Sequence, residues 1–408
     1  MSESLRAVPV AKDVWWVGAI DWGLADFHGY ATGRGTTYNA YLVVDEKIAL
    51  IDTVKAPFMD EMLARIASVV PPGDIDYIVS NHSEMDHSGG LPHAVEVIKP
   101  EKVFASAMGQ RTLFEHFGAG LEVTPVNDNE TLSLGSRRLR FIETRLLHWP
   151  DSMMSVLAPD NILFSQDGFG MHLASGARFA DELDADVVLY EGAKYFANIL
   201  LPYSPVVLKL LERVKSEGLE FSMIAPDHGP IWRKDVGTMP ARYATWATQR
   251  PTAKVVITYD TMWQSTAAMA RAIADGAAAE SVAVTVLPLS VRHRSDVMTE
   301  LLCAGALVVG SPTMFNHMYP TVADVLTYAS GLRPKNLVGA AFGSYGWSGE
   351  GARDIQKQLV DMKLNVVGEP VVCRYVPNAE ALARCREQGT LVAKRVRERA
   401  EVTDIAGA

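Results

Sequence analysis

The chain of 408 residues is 48% hydrophobic, which is enough for two or three domains with substantial cores. Lys and Arg total 38 against 48 Asp and Glu, a net charge of -10, and no basic stripe indicates nucleic-acid binding. Three cysteines form neither a C-x-x-C pair nor a disulfide framework, and neither a secretory signal nor a membrane-spanning run is recognisable, so we expect a cytoplasmic protein.

The first 250 residues predict many short strands with helices between them. Val14 to Ile20 is the first strand candidate, and residues 41–44 and 48–51 predict a hairpin. Apolar residues recur at helical spacing from Met59 to Val70, which predicts a helix. Further strand candidates are residues 75–79, 103–105, 139–142, 162–164, 187–190 and 221–225. This pattern predicts an αβ/βα sandwich over residues 1–250.

The densest group of potential metal ligands follows the strand candidate at residues 75–79. Four ligands fall within six residues, namely His82, Glu84, Asp86 and His87. A rigid strand that ends in a loop directs several ligands at one point, and residues two apart in an extended chain project to the same side. The group therefore predicts a metal site rather than a polar loop with chance histidines.

Three further ligand candidates stand in similar settings downstream. They are His148, Asp167 and His228, and each follows a strand candidate and is close to Gly or Pro. One such residue alone is more often part of a capped turn than a ligand. Because the same design is repeated three times, we interpret all seven residues as one metal-binding constellation.

From residue 251 the sequence becomes a regular alternation of apolar β-rich runs and helical segments. Cys303 is predicted to be a core position of one of these helices. Five β/α units predict a doubly wound parallel sheet of flavodoxin type over residues 251–408, with its ligand at the carboxyl ends of the strands. The predicted strands are residues 255–258, 282–287, 306–309, 337–342 and 366–372.

Three loops at successive strand ends of this second half predict an FMN site. The first loop supplies hydroxyls and the N–H groups of a helix start, which suit a phosphate, although an ordinary Ser/Thr cap is the alternative for this loop alone. The other two would clasp an isoalloxazine ring, on which Trp347 or Tyr345 can stack. The candidates are Thr261, Met262, Trp263, Gln264, Ser265, Thr266, Ser311, Pro312, Thr313, Met314, Asn316, Ser344, Tyr345, Gly346, Trp347 and Gly349.

The pattern H-x-E-x-D-H at residues 82–87, followed by separated His, Asp and His, resembles the metallo-β-lactamase fold in its flavodiiron form. The zinc hydrolases of that superfamily have a second His where this chain has Glu84, and a hard carboxylate there favours iron over zinc. The loop at residues 261–266 lacks the central glycine of short-chain flavodoxins and resembles the Thr/Ser-Met-x-x-Ser-Thr loop of flavodiiron proteins. The resemblance covers nearly the whole chain and corresponds to the minimal class with two domains.

This resemblance implies two irons, with His82, Glu84 and His148 at one, Asp86, His87 and His228 at the other, and Asp167 bridging them. His87 is the least certain ligand, since this position is not always coordinated in the family. Electrons would pass from a rubredoxin-like donor through FMN to the irons, which reduce O2 to water, NO to N2O, or both. Polar residues near the open iron positions would be His28, His172 and Tyr195, each with a structural role as its alternative.

The resemblance also implies a head-to-tail homodimer, or a dimer of dimers, because in the family the two sites of one subunit lie too far apart for fast electron transfer.

Two other functions are compatible with the motifs. A dizinc hydrolase fused to a flavodoxin domain is disfavoured by Glu84, and a non-enzymatic flavin module is disfavoured by the complete set of seven ligand candidates. The preference between O2 and NO is not encoded in the ligand pattern.

Overall fold

In the computed structural model, residues 5–406 are described, with side chains up to residue 401, and the chain forms two compact units. The first unit contains the described residues up to Tyr195 together with Pro205–Ala244, and the second contains Phe196–Ser204 and the chain from Thr245 onwards. The domain boundary at residue 250 stays a prediction. Among the described residues, no helix combines the length and apolar character needed to cross a bilayer.

Along the first 250 residues, the strands are short and the helices lie between them. The strands are β1 (Val8–Ala11), β2 (Val14–Trp16), β3 (Ala19–Asp21), β4 (Asp26–Phe27), β5 (Tyr30–Ala31), β6 (Thr36–Tyr38), β7 (Tyr41–Val43), β8 (Ala49–Ile51), β9 (Tyr77–Ser80), β10 (Lys102–Ser106), β11 (Thr124–Val126), β12 (Thr131–Ser133), β13 (Arg138–Glu143), β14 (Met153–Ala158), β15 (Ile162–Phe164) and β16 (Met223–Ala225). The α-helices are α1 (Met59–Ala67), α2 (Met85–Ser88), α3 (Leu91–Ile98), α4 (Ala107–Phe117), α5 (Ala185–Tyr195), α6 (Ser204–Ser216) and α7 (Thr238–Thr248). Short 3-10 segments are Ala56–Phe58, Pro72–Asp74, Gly118–Gly120, Ala180–Glu182 and Leu201–Tyr203, and Phe196–Leu200 is a π-helical turn.

Two sheets form the centre of the first unit. One has seven strands in the order β1-β2-β7-β8-β9-β10-β11, and the other has five in the order β12-β13-β14-β15-β16. Tyr41 and Val79 of the first sheet share a buried apolar cluster with Phe141 and Phe164 of the second, so the core lies between the sheets. A separate apolar cluster joins the seven-stranded sheet to α1, α3 and α4. This is the predicted αβ/βα sandwich.

Two strand predictions in this unit are wrong in detail. The strand predicted at Val14 to Ile20 is split into β2 and β3, which belong to different sheets. Residues 187–190 are not a strand but lie inside α5. Four apolar residues in a row do not distinguish a strand from a helix, whereas the buried positions Val188, Glu191 and Tyr195 recur at helical spacing.

The second unit is built on a mainly parallel sheet. Its strands are β17 (Lys254–Tyr259), β18 (Ala283–Pro288), β19 (Ala306–Met314), β20 (His317–Met318), β21 (Val338–Tyr345), β22 (Asn365–Val366) and β23 (Val371–Arg374). The helices are α8 (Ser265–Ala278), α9 (Arg294–Leu301), α10 (Pro320–Leu332), α11 (Glu350–Asp361) and α12 (Ala379–Ala406). The order β18-β17-β19-β21, completed by β22 and β23 beside β21, is the 2-1-3-4-5 order of flavodoxin-type folds. The predicted fold class is therefore confirmed.

Two details of the second unit differ from the prediction. The strand predicted at residues 366–372 is divided into β22 and β23, because Gly368 has a φ of +69° and Pro370 lacks a backbone donor. Cys303 is exposed and lies beyond the end of α9, so the prediction of a helical core position was wrong. Cys373 and Cys385 are buried, and none of the three cysteines forms a disulfide within the described chain.

Candidate metal centre and cofactor cavity

The seven predicted metal ligands lie together in the first unit and form two groups. Ligand atoms of His82, Glu84, His148 and Asp167 all lie within 4.8 Å of one another. The same holds for Asp86, His87 and His228. Six of the seven side chains are buried and His148 is half-buried, so the groups converge away from solvent.

The local backbone explains why neighbouring residues serve different groups. His82 and Glu84 lie in extended chain directly after β9, whereas Asp86 and His87 belong to the single helical turn α2. The change from extended to helical backbone turns the second pair of side chains away from the first. The other ligands follow β13, β15 and β16, and Gly229 with a φ of +77° allows the chain after His228 to pass close to the Met171 carbonyl.

The two carboxylate oxygens of Asp167 face different groups. Oδ2 lies 2.8 Å from His148 Nε2 and 3.5 Å from His82 Nε2. Oδ1 lies 3.1 Å from His87 Nε2 and 3.5 Å from His228 Nε2. A carboxylate with one oxygen in each group has the arrangement of a ligand shared by two metal ions.

The separations between the donor atoms are those expected of ligands around a cation. Glu84 Oε2 is 3.3 Å from His82 Nε2 and 3.2 Å from His148 Nε2. Asp86 Oδ2 is 3.1 Å from His228 Nε2, yet both oxygens of this buried carboxylate lack a hydrogen bond of suitable geometry. Metal–ligand bonds of about 2.1 Å place adjacent donor atoms roughly 3 Å apart. The separations in both groups therefore fit metal ions.

Electrostatics within the cluster favour anionic carboxylates. Burial alone would raise the pKa of Asp167, but His87 and the other histidines outweigh it and hold that pKa well below its usual range. Burial would likewise lower the pKa of His82, but Asp151 and Glu84 raise it well above its usual value. The carboxylates therefore require positive charge nearby, which protons supply in the free cluster and a metal cation replaces.

Outer partners orient the histidines toward the cluster. Asp151 Oδ2 lies 3.1 Å from His82 Nδ1 and accepts a 2.6 Å hydrogen bond from the Ser83 N–H. His228 Nδ1 lies 2.6 Å from the Thr37 carbonyl oxygen, which can only accept, so Nδ1 carries the proton. In both rings Nε2 faces the other ligands, so Nε2 is the nitrogen whose lone pair a metal would take once its proton is displaced.

The three predicted polar residues also lie beside these groups. His28 is at the tip of the β4–β5 hairpin, and its Nε2 is 3.0 Å from Glu84 Oε1, which raises the His28 pKa. His172 is buried, its ring centroid is 4.6 Å from that of His228, and burial holds its pKa well below the usual value. Tyr195 is buried with its ring 5.2 Å from that of His172. His28 is therefore the one of the three that contacts a candidate ligand by hydrogen bonding.

Sequence reasoning missed three residues around the cluster. Asp151 and Asp227 were recognisable as carboxylates next to the predicted ligands His148 and His228. Phe27 packs at ring distances of 4.2 Å from His28 and 4.7 Å from His172, and no sequence signal indicated it. Its contacts depend on the hairpin, which brings residues 26–31 over residues distant in sequence.

The second unit contains a cavity of about 700 Å³ at the carboxyl ends of its strands. Three aromatic side chains at this cavity, Trp263, Phe315 and Trp347, are each at least 85% exposed. The predicted FMN-binding residues that line the cavity are Met262, Trp263, Ser265, Pro312, Thr313, Asn316, Ser344, Tyr345, Gly346 and Trp347. The loop prediction therefore located a cavity whose aromatic rim suits a flat ring system.

Six predicted residues do not line the cavity, namely Thr261, Gln264, Thr266, Ser311, Met314 and Gly349. The buried Thr266 hydroxyl instead lies 2.9 Å from Ser344 Oγ, and Ser311 Oγ accepts a 2.7 Å hydrogen bond from the Tyr319 N–H. These two residues shape the loops. The lining residues missed by sequence reasoning are Phe315, Ser348, Tyr375 and Val376, of which the last two follow β23 and could have been found as a fourth strand-end loop.

The start of α8 has unpaired donors that fit a phosphate. Gln264 precedes the helix with a φ of +66° and provides no side-chain cap to the first turn. The Thr261 hydroxyl oxygen is shielded from solvent and has no hydrogen-bond partner among the described residues. Because the start of a helix leaves N–H groups free, the part of this loop that lines the cavity, namely Met262, Trp263 and Ser265, suits an anionic group, and the aromatic end suits the ring of FMN.

Comparisons with known proteins agree with the folds of both units. Residues 36–229 match the family described as ODP family beta lactamase, and residues 257–389 match Flavodoxin. The nitric oxide reductase of Moorella thermoacetica is 43% identical, over 96% of this chain and 99% of its own. The structure of rubredoxin oxygen:oxidoreductase from Desulfovibrio gigas has a TM-score of 0.94 and 43% identity, over 97% of this chain and 99% of that chain. The flavodiiron protein of Giardia intestinalis has a TM-score of 0.95 and 34% identity, over 98% of this chain and 99% of that chain. The chain therefore belongs to the flavodiiron protein family and is an oxidoreductase with a metallo-β-lactamase-like domain followed by a flavodoxin-like domain.

Proposed function

We propose that this protein passes electrons from a redox partner through FMN to two non-haem irons, where O2 is reduced to water, NO to N2O, or both. The observation that carries the proposal is the position of Asp167, whose two oxygens face two separate groups of ligands. The names of the relatives support both gases as substrates, since one is a nitric oxide reductase and another an oxygen oxidoreductase. We assign the metal site to a domain of residues 1–250 and FMN to a domain of residues 251–408.

We assign His82, Glu84 and His148 to one iron, Asp86, His87 and His228 to the other, and Asp167 to both. Glu84 supports iron over zinc, because a carboxylate is a harder ligand than the imidazole found at this place in zinc hydrolases. Two bound irons would supply electrons and open coordination positions for a diatomic gas. The chain contributes the fixed ligand geometry, since outer partners such as Asp151 hold the histidine rings in place.

The polar residues beside the metal groups would handle protons. His28 Nε2 shares a hydrogen bond with Glu84, while 74% of the His28 side chain is exposed, so this residue connects solvent to the site. His172 is held by a 2.9 Å contact between its Nδ1 and Thr36 Oγ1, and burial favours its neutral form. Tyr195 retains its proton because burial raises its pKa well above the usual value, so it acts as a hydrogen-bond donor.

In the second domain, the residues of the three loops would bind FMN. The free donors before and within the first turn of α8 bind the phosphate, and Trp347 and Tyr345 contact the ring at the cavity rim. FMN would convert electron transfer from a donor into single-electron steps. The hydrogen bond between Thr266 and Ser344 connects the loop proposed to bind the phosphate with a loop proposed to contact the flavin ring. It therefore fixes the positions of these two loops relative to each other.

We further propose a rubredoxin-like donor, a head-to-tail homodimer or dimer of dimers, and a cytoplasmic location. Exposed aromatic side chains at the cavity, such as Trp263 and Phe315, support a protein partner at this surface. The name of the Desulfovibrio gigas relative supports rubredoxin as the type of donor. None of the three cysteines is in a disulfide within the described chain, which agrees with the reducing environment of a cytoplasmic protein.

A dizinc hydrolase is the alternative for the metal domain, and metal identity separates the two functions. Protein purified anaerobically from iron-supplied cells should contain about two irons and one FMN per chain. It should consume O2 or NO with a reduced donor and should not hydrolyse esters or lactams. Zinc-loaded protein that hydrolyses such substrates, and that stays inactive toward both gases after iron reconstitution, would overturn the proposal.

A further inference from the structure

The carboxylate of Asp260 occupies an unusual place, at the end of β17 and next to the proposed phosphate site. It is 6% exposed, and donors engage both of its oxygens. Oδ1 accepts a 2.7 Å hydrogen bond from the Thr261 N–H, and Oδ2 accepts a 2.5 Å hydrogen bond from Thr321 Oγ1. A buried carboxylate beside a phosphate site would repel the ligand unless its charge were taken up by such donors.

The two hydrogen bonds join different parts of the cofactor domain. Thr321 lies in the first turn of α10, the helix that follows the loop at residues 312–316, whereas Thr261 opens the phosphate loop. The Asp260 N–H also donates a 3.2 Å hydrogen bond to the carbonyl of Gly310 in β19. Asp260 is therefore anchored on three sides, by the phosphate loop, by α10 and by the neighbouring strand.

The backbone N–H of Thr261 is hydrogen-bonded, whereas its side-chain hydroxyl has no hydrogen-bond partner among the described residues. Its N–H belongs to Asp260, while its hydroxyl is shielded from solvent and has no partner among the described residues. Fixing the N–H of a residue restricts the direction in which its side chain points. The Asp260 carboxylate thus orients an unpaired hydroxyl close to the uncapped start of α8.

We propose that Asp260 is a positioning residue for the phosphate group of FMN. By clamping Thr261 and Thr321, its carboxylate fixes the start of the phosphate loop, so that the N–H groups of the loop residues lining the cavity face the phosphate. The inference rests on the proposed FMN site. Since the clamp acts at the phosphate end, it affects a flavin with a phosphate far more than one without.

Flavin-free protein provides the test, with FMN and riboflavin titrated separately and binding followed by flavin fluorescence. We compare the wild type with D260A, which removes both hydrogen bonds of the clamp, with T321V, which removes one of them, and with D260N, in which the side chain keeps its size but loses its charge. D324N is the matched control, because Asp324 lies on the same helix as Thr321 but is about half exposed and pairs with Arg294 instead. Thermal unfolding of each flavin-free variant shows whether its fold is retained.

Loss of buried hydrogen bonds is expected to raise the Kd for FMN about tenfold or more in D260A and T321V, with a change of less than about threefold for riboflavin. D324N should bind both flavins as the wild type does. Equal weakening for both flavins, or unchanged FMN binding in D260A, would overturn the positioning role. Tighter FMN binding by D260N would also overturn the positioning role, because it would show that the wild-type carboxylate repels the phosphate. If the wild type binds neither flavin, the FMN site itself fails and the clamp has no ligand to position.

Discussion

Asp227 Oδ2 lies 3.6 Å from His87 Nδ1, and both side chains are fully buried. Neither oxygen of Asp227 nor His87 Nδ1 has a hydrogen-bond partner among the described residues. A buried donor and a buried acceptor that face each other gain most from pairing together. When Nδ1 donates a hydrogen bond to Asp227, Nε2, which lies 3.1 Å from Asp167 Oδ1, is the nitrogen left to bind a metal. Asp227 thus favours coordination by His87, the ligand that the family pattern leaves least certain.

Replacing Asp227 should weaken the second metal position without emptying the first. We expect D227A to lower metal affinity there by about 10- to 100-fold, the usual effect of losing an outer partner of a histidine ligand. D227N should lose less, since its amide oxygen still accepts a hydrogen bond. Metal bound per chain, measured after dialysis against graded free iron, provides the readout. The control is D160N, which removes a carboxylate paired with Arg137. Unchanged iron binding by D227A would contradict the proposed support of His87 by Asp227.

His28 should matter for turnover and not for metal binding. Its side chain is 74% exposed and reaches the site through a hydrogen bond to Glu84, so H28A leaves all seven candidate ligands in place. We expect H28A to retain about two irons per chain and to lose about tenfold or more in the rate of gas reduction. Iron content and steady-state gas consumption measured on one preparation separate the two effects. Loss of iron in H28A would show a structural role instead.

Metal removal should destabilise the first unit. Glu84 and Asp167 are buried in one ligand group and Asp86 is buried in the other, and bound cations would offset the repulsion among these carboxylates. A metal ion at a free concentration of about 1,000 times its Kd adds about 4 kcal/mol to the free energy of unfolding. Chelation should therefore lower the melting temperature, and added iron should restore it. D167A should respond weakly to both treatments. Equal melting temperatures with and without metal in the wild type would contradict a structural contribution.

The cysteines should differ in reactivity as pH is raised. Burial raises the pKa of Cys385 to about 11, so at pH 8 almost none of it is thiolate, and the thiolate fraction grows only as the pH approaches 11. Cys303 is exposed and therefore accessible to reagents. Alkylation of native protein with iodoacetamide at pH 8, followed by peptide mass spectrometry, should label Cys303 well before Cys385. Faster labelling of Cys385 would contradict its burial.

The sequence predicts the ligand cluster well because its signal is local and repeated. His82, Asp167 and His228 each directly follow a short buried strand, and strands that end at one edge bring distant residues together. Their convergence follows from this pattern, while occupation by iron stays a prediction. The strand predicted at residues 187–190 was wrong for the opposite reason, since a short apolar run carries no period and tertiary packing made it part of α5.

What the sequence could not reveal depends on contacts between separate segments. Phe27 contacts His172 only when the β4–β5 hairpin has folded over that residue. Asp227 follows β16 of the five-stranded sheet and meets His87, which follows β9, only when the two sheets pack together. The aromatic rim shows the same limit, since Phe315 and Tyr375 come from loops whose meeting depends on the strand order. In related sequences, a carboxylate close to a ligand histidine indicates a partner of that histidine, and an aromatic residue just after a strand indicates the rim of the cofactor cavity.

The rate of electron transfer inside protein loaded with iron and FMN is the most direct test of a path from FMN to the metal centre. Protein that contains iron and FMN is fully reduced without oxygen and mixed rapidly with O2 or with NO while flavin absorbance is followed. We expect fast flavin oxidation by at least one gas in the wild type, and slow oxidation in D167A that retains FMN, because the carboxylate proposed to bridge the irons is lost. Equal rates in the two proteins would mean that the flavin reacts without the metal centre and would contradict electron transfer from FMN to the irons.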